Sequence, residues 1–118
     1  MTKRNSMPPG TAAISLRVVV GLEFLAVFAQ ATLAGQFLAG NAPLLGWHER
    51  NGYIVFELAL VQLVLAIVAW RRGGHGWIAA ASGALLVAVV AQIYLGYRNA
   101  LAFHVPLGVA IFGLLVPL

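Results

Sequence analysis

Cysteine and aspartate are both absent from the 118-residue sequence, whose only acidic residues are Glu23, Glu49 and Glu57. Without cysteine there can be no disulfide, iron–sulfur cluster or thiolate metal site. Charge of either sign is scarce: charged residues make up 8% of the chain and hydrophobic residues 62%, whereas a soluble domain carries about a quarter charged residues. A soluble globular domain is therefore excluded. What fills the chain is a set of apolar runs. Residues 24–47, 73–97 and 99–118 are uncharged, and 51–70 contains only Glu57; each run approaches the ~20 residues that carry a helix across a bilayer. Four crossings use up most of the chain, so any chemistry must sit between the helices or at their ends.

The formal net charge is +4, from seven basic residues. They flank the apolar runs rather than forming a patch, which argues against nucleic acid and for the lipid bilayer as partner. Lys3, Arg4 and Arg17 precede the first run and Arg71 and Arg72 follow the second; the other two connections hold only Arg50 and Arg98. The positive-inside rule then puts the N-terminus, the Arg71 loop and the C-terminus in the cytoplasm of a bacterial-type inner membrane. Trp47, Tyr53, Tyr94 and Tyr97 fall at the outer ends and Trp70 and Trp77 at the inner ends, where amphipathic rings favour the headgroup layer. A secretory signal peptide ending near Ala29-Gln30-Ala31 is the competing reading of the first run, but Glu23 interrupts its apolar region. Residues 1–13, with Pro8-Pro9-Gly10, read as a flexible cytoplasmic tail.

The spacing predicts helices over roughly 15–39, 48–70, 76–97 and 100–118, separated by Gly40-Asn41-Ala42-Pro43, by Arg71-Arg72-Gly73-Gly74 and by the short segment at Arg98. Connections this short force antiparallel neighbours. The expected fold is an all-α, integral membrane four-helix bundle, up-down-up-down, with both termini inside and residues 14–118 as its one domain. An internal repeat runs through it. Ala29-Gln30-Ala31-Thr32-Leu33-Ala34-Gly35 closes the first run and Ala91-Gln92-Ile93-Tyr94-Leu95-Gly96 closes the third. The run after each opens with a histidine followed by glycine four residues on: His48 and Gly52 in one half, His104 and Gly108 in the other. Two hairpins of like design, related by a pseudo-twofold axis along the membrane normal, would bring both histidines to one depth near the outer surface.

Two such imidazoles suit a haem iron, which takes one axial ligand on each face of the porphyrin. A glycine one turn along the same helical face would let a flat macrocycle approach the backbone. Arg50 and Arg98, also near the outer ends, match the geometry of haem propionates. The plainer alternative is that the histidines sit at the interface and the small residues are packing devices; the duplication of depth, hairpin position and glycine favours the haem. Zinc is disfavoured, because it takes three or four protein ligands and His75 belongs to the opposite side of the membrane, where it reads as a solvated or headgroup residue.

The Gln92-Ile93-Tyr94-Leu95-Gly96 segment with the later His104, and His48-Glu49-Arg50 as a histidine–arginine element, resemble the corresponding segments of the heme A synthase family. In that family each half of the chain is a four-helix bundle with a histidine pair on its even helices, and one half holds a haem b. The resemblance implies His48 and His104 as axial ligands of a haem b; haem a or haem o would be held by the same pair. This chain departs from the family in having a single half, no cysteine pair, and Leu44-Leu45-Gly46-Trp47 where the family has a catalytic glutamate; Glu49 also displaces Arg50 by one residue. Haem oxidation is therefore not carried over. What the resemblance leaves is haem binding and electron transfer, with a quinol or a redox protein as partner and a homodimer as the way to restore two halves.

Glu23 and Glu57 fall within predicted spans, where a carboxylate at the centre costs about 2.5–3.5 kcal/mol. Both are expected to face the bundle, as proton carriers, as part of a quinol pocket, or, for Glu57, as a carboxyl bonded to Gln62 or a neighbouring helix. Gln30, Gln36, Gln62 and Gln92 suit interhelical hydrogen bonds, and the duplicated Gln30 and Gln92 suit bonds to the ligand imidazoles or to propionates. Two other functions stay open at this point. A four-span chain with a glutamate in its first helix resembles the small multidrug resistance transporters, which exchange protons for cationic drugs. A non-catalytic helical subunit of a larger membrane complex is the third.

Overall fold

The computed structural model of the protein describes residues 10–118, and they form four helices: α1 (Thr11–Leu38), α2 (Leu44–Arg71), α3 (Gly76–Tyr97) and α4 (Leu101–Leu115). Of the expected tail, residues 1–9 lie outside the described residues, whereas residues 11–13 already belong to α1. α2 begins four residues earlier than the glycine–proline punctuation suggests. Leu44 and Leu45 donate to the carbonyls of Asn41 and Ala42, so the turn closes directly onto Pro43, whose fixed φ and missing N–H suit the position just before a helix. His48 thus stands in the second turn of α2, not at its opening. α4 stops at Leu115, because Pro117 has no N–H with which to continue the ladder.

Three of the helix ends share one stop signal. Gly40 (φ +103°), Gly73 (φ +98°) and Asn99 (φ +53°) take the left-handed conformation. The next residue in each case donates back across the last turn, Asn41 to Gln36, Gly74 to Ala69 and Ala100 to Leu95. This arrangement satisfies carbonyls that the helix leaves over and reverses the chain within a few residues. The reversals make each helix antiparallel to the next. α1 packs on α2, α2 on α3 and α3 on α4, and α4 closes back on α1, while the diagonal pairs α1/α3 and α2/α4 make no backbone contact. The observed architecture is the expected up-down-up-down bundle.

α1, α2 and α3 are long and apolar enough to cross a membrane. The 28 residues of α1 and of α2 give about 42 Å each at 1.5 Å per residue, against a hydrocarbon thickness of about 30 Å. α4 has 15 residues, about 22 Å, and is shorter than the expected fourth span. One end of the bundle carries the 39–43 and 98–100 connections and both paired histidines; the other carries Arg71, Arg72 and His75. These are called here the histidine end and the arginine end.

Each helix is apolar all round, and the side that turns inward is marked by small and polar residues. Ala59, Gln62 and Ala66 of α2, Ala79 and Ser82 of α3 and Glu23 of α1 are buried, whereas Leu25, Phe28, Val64, Val87 and Val109 are exposed. This is the logic of a bundle in lipid, where side-chain size and interhelical polar contacts decide the interface because the surroundings are as apolar as the core. Val27, Val55, Leu85, Val89, Ile111 and Leu115 fill the middle of the bundle, and Leu16, Ala66 and Ala79 pack nearer the arginine end. Ala59 is fully buried, so Ala59→Leu should overpack the interior and cost about 1–3 kcal/mol. Thermal unfolding in detergent should show a lower Tm for this variant and an unchanged one for Ala80→Leu, which adds the same three carbons at an exposed position.

Candidate functional site

His48 and His104 project inward from the diagonal helices α2 and α4, and their ring centroids are 6.1 Å apart, with the ring planes at 66°. Each ring is held the same way. The Nδ1–H of His48 donates to the backbone carbonyl of Gln30, at 3.1 Å, and the Nδ1–H of His104 donates to that of Gln92, at 2.9 Å. Those carbonyls already accept a helical N–H and use their second lone pair for the imidazole. With Nδ1 as the donor, each Nε2 keeps its lone pair. The sequence repeat therefore corresponds to a spatial repeat, in which a glutamine backbone from the odd helix orients a histidine of the even helix.

The two glutamine side chains continue the pattern. The Gln30 amide lies 3.3 Å from His48 Nε2 and donates to it. A Cβ on Gly52 would meet the Gln30 amide nitrogen at 3.3 Å, and one on Gly108 would meet that of Gln92 at 3.0 Å. The space that the two glycines were expected to clear for a macrocycle is thus occupied by glutamine amides. A further glycine has a direct role with a ring: a Cβ on Gly96 would come within 3.1 Å of His104 Cε1, so the absent side chain lets the imidazole lie close to α3.

The halves differ in how the glutamine is held. Asn51 Nδ2 donates to the side-chain oxygen of Gln30 at 2.7 Å and to the carbonyl of Ala26 at 2.8 Å, which fixes the amide against α1. Three residues after His104 the corresponding position is Leu107, and the side-chain oxygen of Gln92 is buried without a partner. The sequence reading missed Asn51 and Gly96. Both were findable by counting, since Asn51 is at i+3 from His48 and Gly96 at i+4 from Gln92, on the faces that carry the site.

The other expected residues are not all brought in. Arg50 and Arg98 are exposed; the Arg50 guanidinium lies 5.8 Å from the centre of the Trp47 ring, and Arg98 caps the end of α3. Trp47, Arg50 and Asn51, with Leu33 and Ile54, line an open groove of about 530 Å³ on the outside of the α1–α2 hairpin. Tyr53 and Tyr97 join α2 to α3 at the same end through their hydroxyls, 2.7 Å apart. His75 is exposed at the arginine end, before α3. Gln36 is exposed as well.

Glu57 corrects the expectation that it faces the bundle: it is exposed. The inward face of α2 runs through Val55 and Ala59, and a residue two positions from either is turned about 200° away. Glu57 therefore cannot reach Gln62, whose amide donates instead to Ser82 Oγ at 3.0 Å. Glu23 faces inward as expected and is fully buried.

Among the described residues no three His, Cys, Asp or Glu side chains gather to hold a metal ion. Comparison with protein-family models, with curated proteins and with solved structures gives no match to this chain.

The asymmetry at Asn51 yields a paired prediction. Asn51→Leu takes the donor from the half-buried Gln30 oxygen and should cost about 0.5–2 kcal/mol. Leu107→Asn offers the Gln92 oxygen a donor and should leave stability unchanged or raise it. Unfolding of both variants in the same detergent gives the signs, and equal destabilisation by the two would contradict the pairing.

Proposed function

We propose that the chain is a membrane haem protein in which His48 and His104 are the axial ligands of one haem b and whose work is electron transfer. The observation that carries this reading is the matched pair of imidazoles 6.1 Å apart, each fixed at Nδ1 by a backbone carbonyl. Two metal–nitrogen bonds of about 2 Å, plus about 1 Å from each nitrogen to its ring centre, separate the centroids of two imidazoles on one metal by about 6 Å. A second-sphere bond from the other ring nitrogen to a carbonyl is the usual partner of a ligating histidine; it sets the tautomer and raises ligand basicity. Two protein ligands suit a group that brings its own equatorial donors.

The residues have definite tasks in this reading. His48 and His104 hold the iron, Gln30 and Gln92 hold the histidines, and Gly96 gives the His104 ring its place. A macrocycle between the histidines would have to displace the amides that rest on Gly52 and Gly108, and Arg50 and Arg98, at the same end of the bundle, would be the cations available to its propionates. A haem with two axial imidazoles supplies a one-electron centre without an open position for dioxygen. The electron comes from a quinol in the bilayer or from a redox protein. The basic residues at the arginine end put that end in the cytoplasm, so the histidine end faces outward from a bacterial-type inner membrane.

Glu23, buried and without a partner, favours the transporter reading on one point. The groove at the histidine end does not include Glu23, and what surrounds the carboxyl is the packed apolar core, so the haem reading is preferred.

Absorption spectra of the detergent-purified full chain, expressed with sufficient haem, test the proposal. Wild type should show sharp reduced-state bands that both His48→Ala and His104→Ala lose, while His75→Ala keeps them. A folded, colourless wild type, or a spectrum indifferent to either paired histidine, removes the reading.

A further inference from the structure

The bundle holds one inward-facing carboxyl, and nothing in the histidine site accounts for it. Glu23 is fully buried, and neither of its carboxyl oxygens has a hydrogen-bond partner. It is seven residues before Gln30 on the same face of α1, about 10 Å along the axis from Gln30. Val27 follows it on that face. The core at this level is built of Val55 and Ala59 from α2, Leu85 and Val89 from α3, and Ile111 and Leu115 from α4, with Phe24 against Phe112 beside it. None of these side chains titrates, and Glu57, the other carboxyl of α2, is turned to the outside. Among the described residues, the only titratable groups on the inward faces besides Glu23 are His48 and His104. A second buried oxygen without a donor, that of Gln62, lies further toward the arginine end, beside Ser82.

A buried carboxylate without a donor or counter-charge is among the costliest groups a membrane interior can hold, whereas the neutral acid is tolerated. Among the described residues, the place in the interior where a compensating positive charge can arise is the histidine pair. We infer that Glu23 is an intramembrane proton site, holding one proton as the neutral acid and giving it up when a positive charge is placed between His48 and His104. This inference rests on the proposed haem site for its source of charge. A ferric haem carries one more positive charge than a ferrous one. Oxidation by one electron, passed to the acceptor, releases the Glu23 proton; reduction by one electron from a quinol or other donor takes one proton up at the Glu23 carboxylate. Charge inside the bundle is then the same in both states.

The low acid content makes this measurable, because Glu23, Glu49 and Glu57 are the only side-chain carboxyls. Infrared spectra of the haem-free full chain carrying Glu49→Gln and Glu57→Gln, in lipid nanodiscs, should contain a carboxylic-acid C=O stretch, shifted on deuteration and lost when Glu23→Gln is added. In haem-loaded protein the reduced-minus-oxidised difference spectrum should show that band gained on reduction. Reduction in weakly buffered solution should take up one proton per haem, and Glu23→Gln should take up none. Should Glu23→Gln not fold, the Glu49→Gln/Glu57→Gln double variant, in which Glu23 is the last side-chain carboxyl, should keep both the band and the proton uptake. Absence of the band from the haem-free double variant overturns the proton site. A band that is the same in the oxidised and reduced protein overturns the exchange. A chain that takes up no haem loses its bands in the absorption test, which defeats the histidine reading and the exchange together, while the haem-free spectrum still decides whether Glu23 holds a proton.

Discussion

The bond from each histidine Nδ1 to a glutamine backbone carbonyl is the contact on which the site depends. A mid-helix carbonyl is spoken for by the N–H four residues on, but its second lone pair points away from the helix axis and is open to a neighbour that comes close enough. The neighbour must approach the helix backbone itself. At Gln92 this is possible because the residue one turn on is Gly96, against which the His104 ring lies. The donor then cannot be Nε2, whose lone pair is kept as an acceptor and at His48 receives the Gln30 amide. A histidine in water has no such preference between its nitrogens. The bundle creates one by giving the ring a single acceptor of fixed position.

The two hairpins repeat this contact without repeating what supports it. Asn51 ties the Gln30 side chain to α1, so the first glutamine is held at both its backbone and its amide. The second half has Leu107 at that position and Pro106 where the first has Arg50, and its glutamine oxygen is left without a donor. Pro106 also removes the N–H that would have bonded the carbonyl of Ala102, early in a helix of only 15 residues. The α3–α4 half is the less constrained of the two. Any group that enters between the rings meets a fixed side, built on Asn51, and a side with an unmet acceptor.

Much of this arrangement is written in the sequence, and the parts that are not have physical reasons. The number of helices, their antiparallel order and the matched depth of His48 and His104 follow from apolar runs, short connections and the repeat. α3 begins and ends where its flanking residues predict. The start of α2 departs from the glycine–proline punctuation because Pro43 sits immediately before the first helical turn and does not end a loop. Glu57 was misplaced for a deeper reason. In a soluble bundle an apolar stripe reveals which side faces in, but here every side is apolar, and the inward face is signalled by alanine, serine and glutamine. Ala59, Gln62 and Ala66 define that face on α2, and counting from them turns Glu57 outward. The backbone acceptors of the imidazoles have no sequence signal at all, since every residue has a carbonyl; only the duplicated glutamines mark where to look.

The same inside-out pattern explains why the polar residues of the interior fall into separate groups. Near the arginine end Gln62 and Ser82 join α2 to α3 with a hydrogen bond. At the histidine end Gln30, Asn51 and His48 join α1 to α2, and Gln92 and His104 join α3 to α4. Both groups stabilise contacts between neighbouring helices in sequence order, which in lipid is what polar side chains do best. Glu23 belongs to neither, since it bonds to no neighbouring helix and its burial secures no interface.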